Sequence, residues 1–151
     1  MRIELFSSDY LNIVELNTTG DNENYIKGDS ESKYVESEVF NIFTTCFENA
    51  NKLYEFFGAT KYNARKIVPL RNELIAKLEA LKKMDSSKAL KKHINQIFLG
   101  QDFIDELTKE DPKWEEKWDY YLQKLIKLNE GIIEITEKCI EEQRILWVIG
   151  Y

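Results

Sequence analysis

A chain of 151 residues with 43% apolar and 13% aromatic side chains is of single-domain size and carries enough apolar surface to offset the entropy lost on folding, which excludes a disordered chain. Its net charge of −6 argues against a general nucleic-acid binder, because phosphate neutralisation needs an excess of Lys and Arg. The longest apolar run, Ile145 to Ile149, is far short of the ~20 residues that span a bilayer, and Met1 to Tyr10 lacks the basic-then-apolar pattern of a secretory signal. A cytoplasmic protein without membrane contact is expected.

One domain over residues 1–151 is expected, with strands in 1–16, a polar loop over 17–34, a helical region over 36–143 and a terminal strand over 144–151. Arg2 to Phe6 alternates in polarity, and Leu11 to Leu16 continues with β-branched residues, so two short strands, a hairpin, are predicted. From Asn17 the sequence NTTGDNENYIKGDSESK is dense in turn-forming residues. A loop this long is usually functional or poorly ordered; with Tyr25 and Ile26 as apolar anchors, it reads as a packed loop with a mobile tip.

Ser37 to Phe57 repeats apolar residues every three to four positions, which predicts one helix with a wide apolar face, ended by a left-handed Gly58. A second copy of the chain could cover so wide a face, so a homodimer is one expectation. After a turn at Ala59-Thr60, Ile67, Leu70, Leu74, Leu78 and Leu81 predict a second helix to Met84, starting near Val68 or kinked at Pro69. Asp85-Ser86-Ser87 offers caps for a third, Lys88 to Leu99, with Phe98 inward and Gly100 as its stop. A brief fourth helix follows over Asp102 to Lys109.

Asp111-Pro112 reads as a start signal for a long helix to about Gln143. Trp114, Trp118, Tyr121, Leu125, Leu128, Ile132, Ile135 and Cys139 line it at steps of four and three, over ~45 Å. Gly131 within it marks a close approach by another backbone. The β-branched and aromatic tail, Arg144 to Tyr151, reads as a strand pairing with the N-terminal ones. The fold class is therefore α+β and predominantly helical: three to five helices around the long C-terminal helix, with a small antiparallel sheet of N-terminal and C-terminal strands.

The charge is unevenly distributed. Residues 1–58 are net acidic, 59–99 strongly basic and 100–142 strongly acidic. Asp102, Asp105, Glu106, Glu110, Asp111, Glu115, Glu116 and Asp119 fall within eighteen residues. Such a cluster suits a basic protein partner, since Coulombic steering raises association rates. Tyr120 and Tyr62 fall off the apolar stripes and join it as candidate contacts.

Chemistry has few candidates. His93 is the only histidine, so histidine triads and multi-histidine metal sites are absent by count; it reads as a solvated or partly buried helix residue beside Lys91 and Lys92, the alternative being part of a basic anion-contacting surface. Cys46 and Cys139 lack any CxxC spacing and read as buried reduced thiols. No phosphate-cradling or nucleophile-elbow glycine motif occurs. No catalytic, cofactor-binding or metal-binding residue is therefore assigned, and no cofactor is expected.

By elimination, the leading expectation is a small acidic interaction protein, an immunity or antitoxin-like inhibitor of a protein partner such as a cognate toxin. A regulatory nucleic-acid-binding module using the basic central helices is the second reading. An enzyme of unfamiliar type built on the acidic cluster is the third.

Overall fold

In the computed structural model, residues 1–7 and 12–151 are described. The turn of the expected N-terminal hairpin, and the start of its second strand, lie outside those residues.

Four strands form one antiparallel sheet in the order β2-β1-β4-β3: β1 is Ile13–Asn17, β2 Lys33–Glu36, β3 Ala59–Tyr62 and β4 Leu146–Gly150. Residues paired across a ladder share a face, and the registers Val14↔Val35, Leu16↔Val148 and Tyr62↔Leu146 place these six side chains together. All six are buried in the main core with the helices. The other face carries Ile13 and Tyr34, which form a second small cluster with Phe6, and also Glu15, Asn17 and Trp147.

Two strands lie where none was expected. The C-terminal strand does pair with an N-terminal one, but β2 comes from the end of the polar loop and β3 from the expected turn at Ala59-Thr60. Both are four residues long, too short to declare a period. Arg2 to Phe6 is not a strand; Phe6 makes a single bridge, and to Tyr34 rather than to β1.

The expected Ser37–Phe57 helix is broken. It comprises α1 (Ser37–Phe40), a 3-10 turn (Asn41–Phe43) and α2 (Thr44–Ala50). Asn51 ends it: Asn51 Nδ2 donates to the Lys61 carbonyl at 3.1 Å, and Oδ1 accepts from the Leu53 amide at 3.0 Å. A short amide side chain gives the backbone an alternative to helical bonds, and the chain turns to deliver β3. Leu53 and Phe57 are consequently 80% exposed rather than inward, and Gly58 sits before β3, not at a helix end.

The second helix, α3 (Ile67–Lys82), starts where Pro69 falls in its first turn. Helix α4 (Ser87–Asn95) begins on Ser86, whose hydroxyl accepts from the Ala89 amide at 3.1 Å. It stops before Leu99, and Phe98 is exposed rather than inward. Leu99 takes the left-handed conformation at φ 61, and Gly100 opens α5 (Gly100–Glu110) instead of stopping α4. A Cβ at Gly100 would lie 1.9 Å from the Ile94 carbonyl oxygen, so the tight α4–α5 junction needs glycine there.

Asp111-Pro112 does not open the long helix directly. A 3-10 turn (Trp114–Lys117) intervenes, and α6 runs Trp118–Glu141, about 36 Å at 1.5 Å per residue. Its buried face includes Leu125, Leu128, Ile132 and Cys139, as the spacing predicts. Asn129 is fully buried among them; with Nδ2 turned to the Leu74 carbonyl and Oδ1 to the Leu78 amide, both at 3.1 Å, it bonds the backbone of α3. Gly131 faces the Leu5 side chain, 2.8 Å from where a Cβ would stand; the close neighbour is a side chain, not a backbone.

Candidate functional site

The helical period of α5 turns Phe103, Ile104 and Leu107 into the core, which leaves Asp102, Asp105, Glu106 and Glu110 on the solvent side. The α5–α6 junction is pinned from below. Thr108 Oγ1 donates to the Ile104 carbonyl at 2.7 Å and accepts from Trp114 Nε1 at 3.1 Å, and Trp114 is buried. A polar atom on a buried indole needs such a partner.

Asp111 is the second pin. It accepts from Lys117 Nζ at 3.0 Å and from the Tyr121 hydroxyl at 2.8 Å. The Lys117 bond, then the Tyr121 bond, hold its carboxyl below the usual carboxylate range. Tyr121 moves the opposite way, to about 12, through burial and then its bond to Asp111. Asp111 is thus engaged within the fold rather than free for a partner.

The other acidic residues divide in two. Glu106 pairs with Lys109 at 2.5 Å, Glu115 with Lys91 of α4 at 2.7 Å, and Glu110 with the N-terminal amine of Met1; Asp105 accepts from Gln101 at 2.7 Å. Asp102, Glu116 and Asp119 have no ion-pair partner among the described residues and are exposed. Tyr120, 56% exposed, follows Glu116 and Asp119 at the start of α6, its ring edge-on to Tyr121 at 5.1 Å, while Asp102 stands in the first turn of α5. The Lys124 ammonium lies over the Tyr120 ring, 5.0 Å from its centroid, so the face joins an aromatic side chain and its cation to the exposed carboxylates of Glu116 and Asp119. No group of three or more potential ligands for a metal ion comes together among the described residues.

Tyr62 is not on this face or on any surface. It is fully buried, its hydroxyl donates to the Phe47 carbonyl at 2.7 Å, and its ring meets Phe47 edge-on. Off-stripe placement implies exposure only where the chain turns at Ala59-Thr60; on strand β3, Tyr62 faces the core.

The basic stretch is partly spent inside the fold. Lys91 and Lys82 meet Glu115 and Glu130, while Lys77 turns inward to His93. Both cysteines are free and buried, and burial pushes the thiols up, to about 12 for Cys46 and about 11 for Cys139.

Residues 18–32 fold back over the sheet's outer face on a buried polar centre that the sequence did not signal. Glu15, fully buried, accepts from the Gly28 amide at 3.0 Å, Ser32 Oγ at 2.7 Å and the Tyr151 hydroxyl at 2.5 Å. Asn17 Oδ1 accepts from the Thr19 and Gly20 amides, and Nδ2 donates to the Ile26 carbonyl. Trp147 Nε1 donates to the Asp21 carbonyl at 2.9 Å, and the Trp147 ring packs on Tyr25. Of the two expected anchors, Tyr25 is one; Ile26 is exposed.

Among the described residues no helix is long and apolar enough to cross a membrane. Comparison of the chain with family models, with curated proteins and with solved structures returns no match.

Proposed function

We propose that this protein is a small acidic interaction protein, an immunity or antitoxin-like inhibitor that binds a basic surface of a protein partner such as a toxin domain. The observation that carries the reading is the division of the acidic residues. Asp102, Glu116 and Asp119 are exposed without an ion pair among the described residues, the latter two next to the exposed Tyr120, whereas their acidic neighbours are tied into the fold. Exposed carboxylates without an ion pair can meet a cationic partner, while the tyrosine supplies contact area.

Nucleic acid has weaker support as the partner, since Lys77, Lys82 and Lys91 of the basic stretch already face His93, Glu130 and Glu115. The test is co-purification with the product of an adjacent gene encoding a toxic C-terminal domain. A complex that weakens with salt and is lost in Tyr120→Ala with Asp119→Lys supports the reading. Salt-sensitive binding to mixed DNA or RNA, with no protein complex, would replace it.

A further inference from the structure

Helices α2, α3 and α4 border an open pocket of about 310 Å3, lined by Cys46, Glu73, Ala76, Lys77, His93 and Ile97, with Ala76 on its exposed rim. That volume is at the small end of the range for ligand pockets.

Lys77 decides its chemistry. Glu73 also borders the pocket and lies four residues earlier on α3, the spacing at which a Glu–Lys ion pair forms on a helix. The pair is not made: Glu73 Oε2 accepts instead from Asn49 Nδ2 at 3.2 Å. Lys77 Nζ contacts His93 Nε2 at 3.1 Å, and it has no carboxylate partner among the described residues. Burial lowers the affinity of both groups for a proton, and the Lys77 charge lowers that of His93 further, to about 4. At neutral pH the imidazole is therefore an uncharged acceptor of a bond from Lys77. An ammonium partly withdrawn from water without a counter-charge is an unfavourable arrangement, and here it faces an empty space.

The remaining walls are uncharged. Ala76, Ala80 and Ile97 are aliphatic, and the Cys46 thiol is protonated and donates to the Glu73 carbonyl at 3.6 Å. The Cys46 thiol from α2, Glu73 and Lys77 from α3, and His93 from α4 are the titratable groups that face the space.

We propose that this pocket binds a small organic carboxylate, its anionic head held by Lys77 Nζ, joined by His93 Nε2 when the imidazole is protonated, and its apolar body against Ala76, Ala80 and Ile97. The site does not depend on the acidic face. A bound anion favours the charged imidazolium, so the ligand raises the His93 midpoint from about 4, and the part of the affinity that depends on His93 is lost as pH rises through that midpoint, leaving Lys77 alone to charge the site at neutral pH.

As the single histidine, His93 gives one imidazole NMR signal that needs no deconvolution. Titrating the intact protein with butyrate or benzoate should shift that signal saturably and raise the His93 midpoint by about one unit, equivalent to tenfold tighter binding by the protonated form. Lys77→Met should abolish the saturable shift, Glu73→Gln should preserve or strengthen it, and butyramide, isosteric but uncharged, should produce none. No saturable shift with either carboxylate overturns the proposal. So does an equal response to butyramide, or saturation by inorganic phosphate where the carboxylates fail. If Lys77→Met does not fold, the butyrate and butyramide arms on the unaltered chain decide.

Discussion

Glu15 carries more structure than its place in a five-residue strand suggests. Its carboxyl group gathers donors from Gly28, Ser32 and Tyr151, which ties the loop and the chain's last residue to β1. Glu15→Ala would leave those donors, the buried Ser32 hydroxyl among them, without their acceptor, at a cost of about 2–4 kcal/mol. Urea unfolding should show the loss, and limited proteolysis should cut first within residues 18–32. Neither Glu15 nor Asn17 was legible as buried, because the partners that satisfy them lie elsewhere in the chain and residue order does not record such meetings.

His93 makes a pH prediction. Its folded value, about 4, lies below the ordinary ~6.5 of an unfolded imidazole, so the unfolded chain binds more protons between these limits. Stability is then fully present above about pH 6.5 and declines as pH falls towards 4. Half exposure discounts the effect to on the order of 1 kcal/mol. Urea midpoints measured at pH 7 and pH 5 should differ in the native chain, and the difference should shrink in His93→Gln.

At the scale of elements, long periodic segments were readable and short ones were not. The apolar steps of α6 and the Ser86 cap of α4 are local signals, and both appear in the structure. The Phe-rich stretch before Gly58 has the same spacing, yet a polar side chain at Asn51 diverts it into β3. Four-residue strands such as β2 and β3 are defined by their neighbours in the sheet, which a linear reading lacks. Asn51→Ala should therefore loosen the α2–β3 connection by about 1–3 kcal/mol through loss of its two backbone bonds. Hydrogen exchange should locate the change at the β3 edge of the sheet.

The α4–α5 junction allows an opposed pair of substitutions. Leu99→Gly relieves a left-handed leucine and should stabilise by up to about 1 kcal/mol. Gly100→Ala forces a methyl group against the Ile94 carbonyl and should destabilise markedly, with thermal unfolding reporting both signs.

For the whole molecule, the α+β class and the packing on a long C-terminal helix were readable because they follow from composition and period. The acidic face was readable only as a cluster: the sequence grouped eight carboxylates, and the fold separates Asp111, held by Lys117 and Tyr121, from Asp102, Glu116 and Asp119, which face solvent. Tyr62 shows the opposite failure, a surface candidate that a strand assignment places in the core. Charge reversal at Asp102, Glu116 and Asp119 should lower stability by about 1–2 kcal/mol without unfolding the chain, because Asp102 and Asp119 stand in the first turns of α5 and α6, where the helix dipole favours a carboxylate over a cation.

That same triple reversal gives the most direct test of the proposed function. Calorimetric titration of the chain with the purified partner that the proposal requires, a toxic C-terminal domain from an adjacent gene, should show a one-to-one complex. Its affinity should fall about tenfold or more between low and physiological salt, as screening of a charged interface requires, and it should be lost with the three carboxylates replaced by lysine. A complex of undiminished affinity in the reversed variant, or no complex with the native chain, would contradict the acidic face as the binding surface.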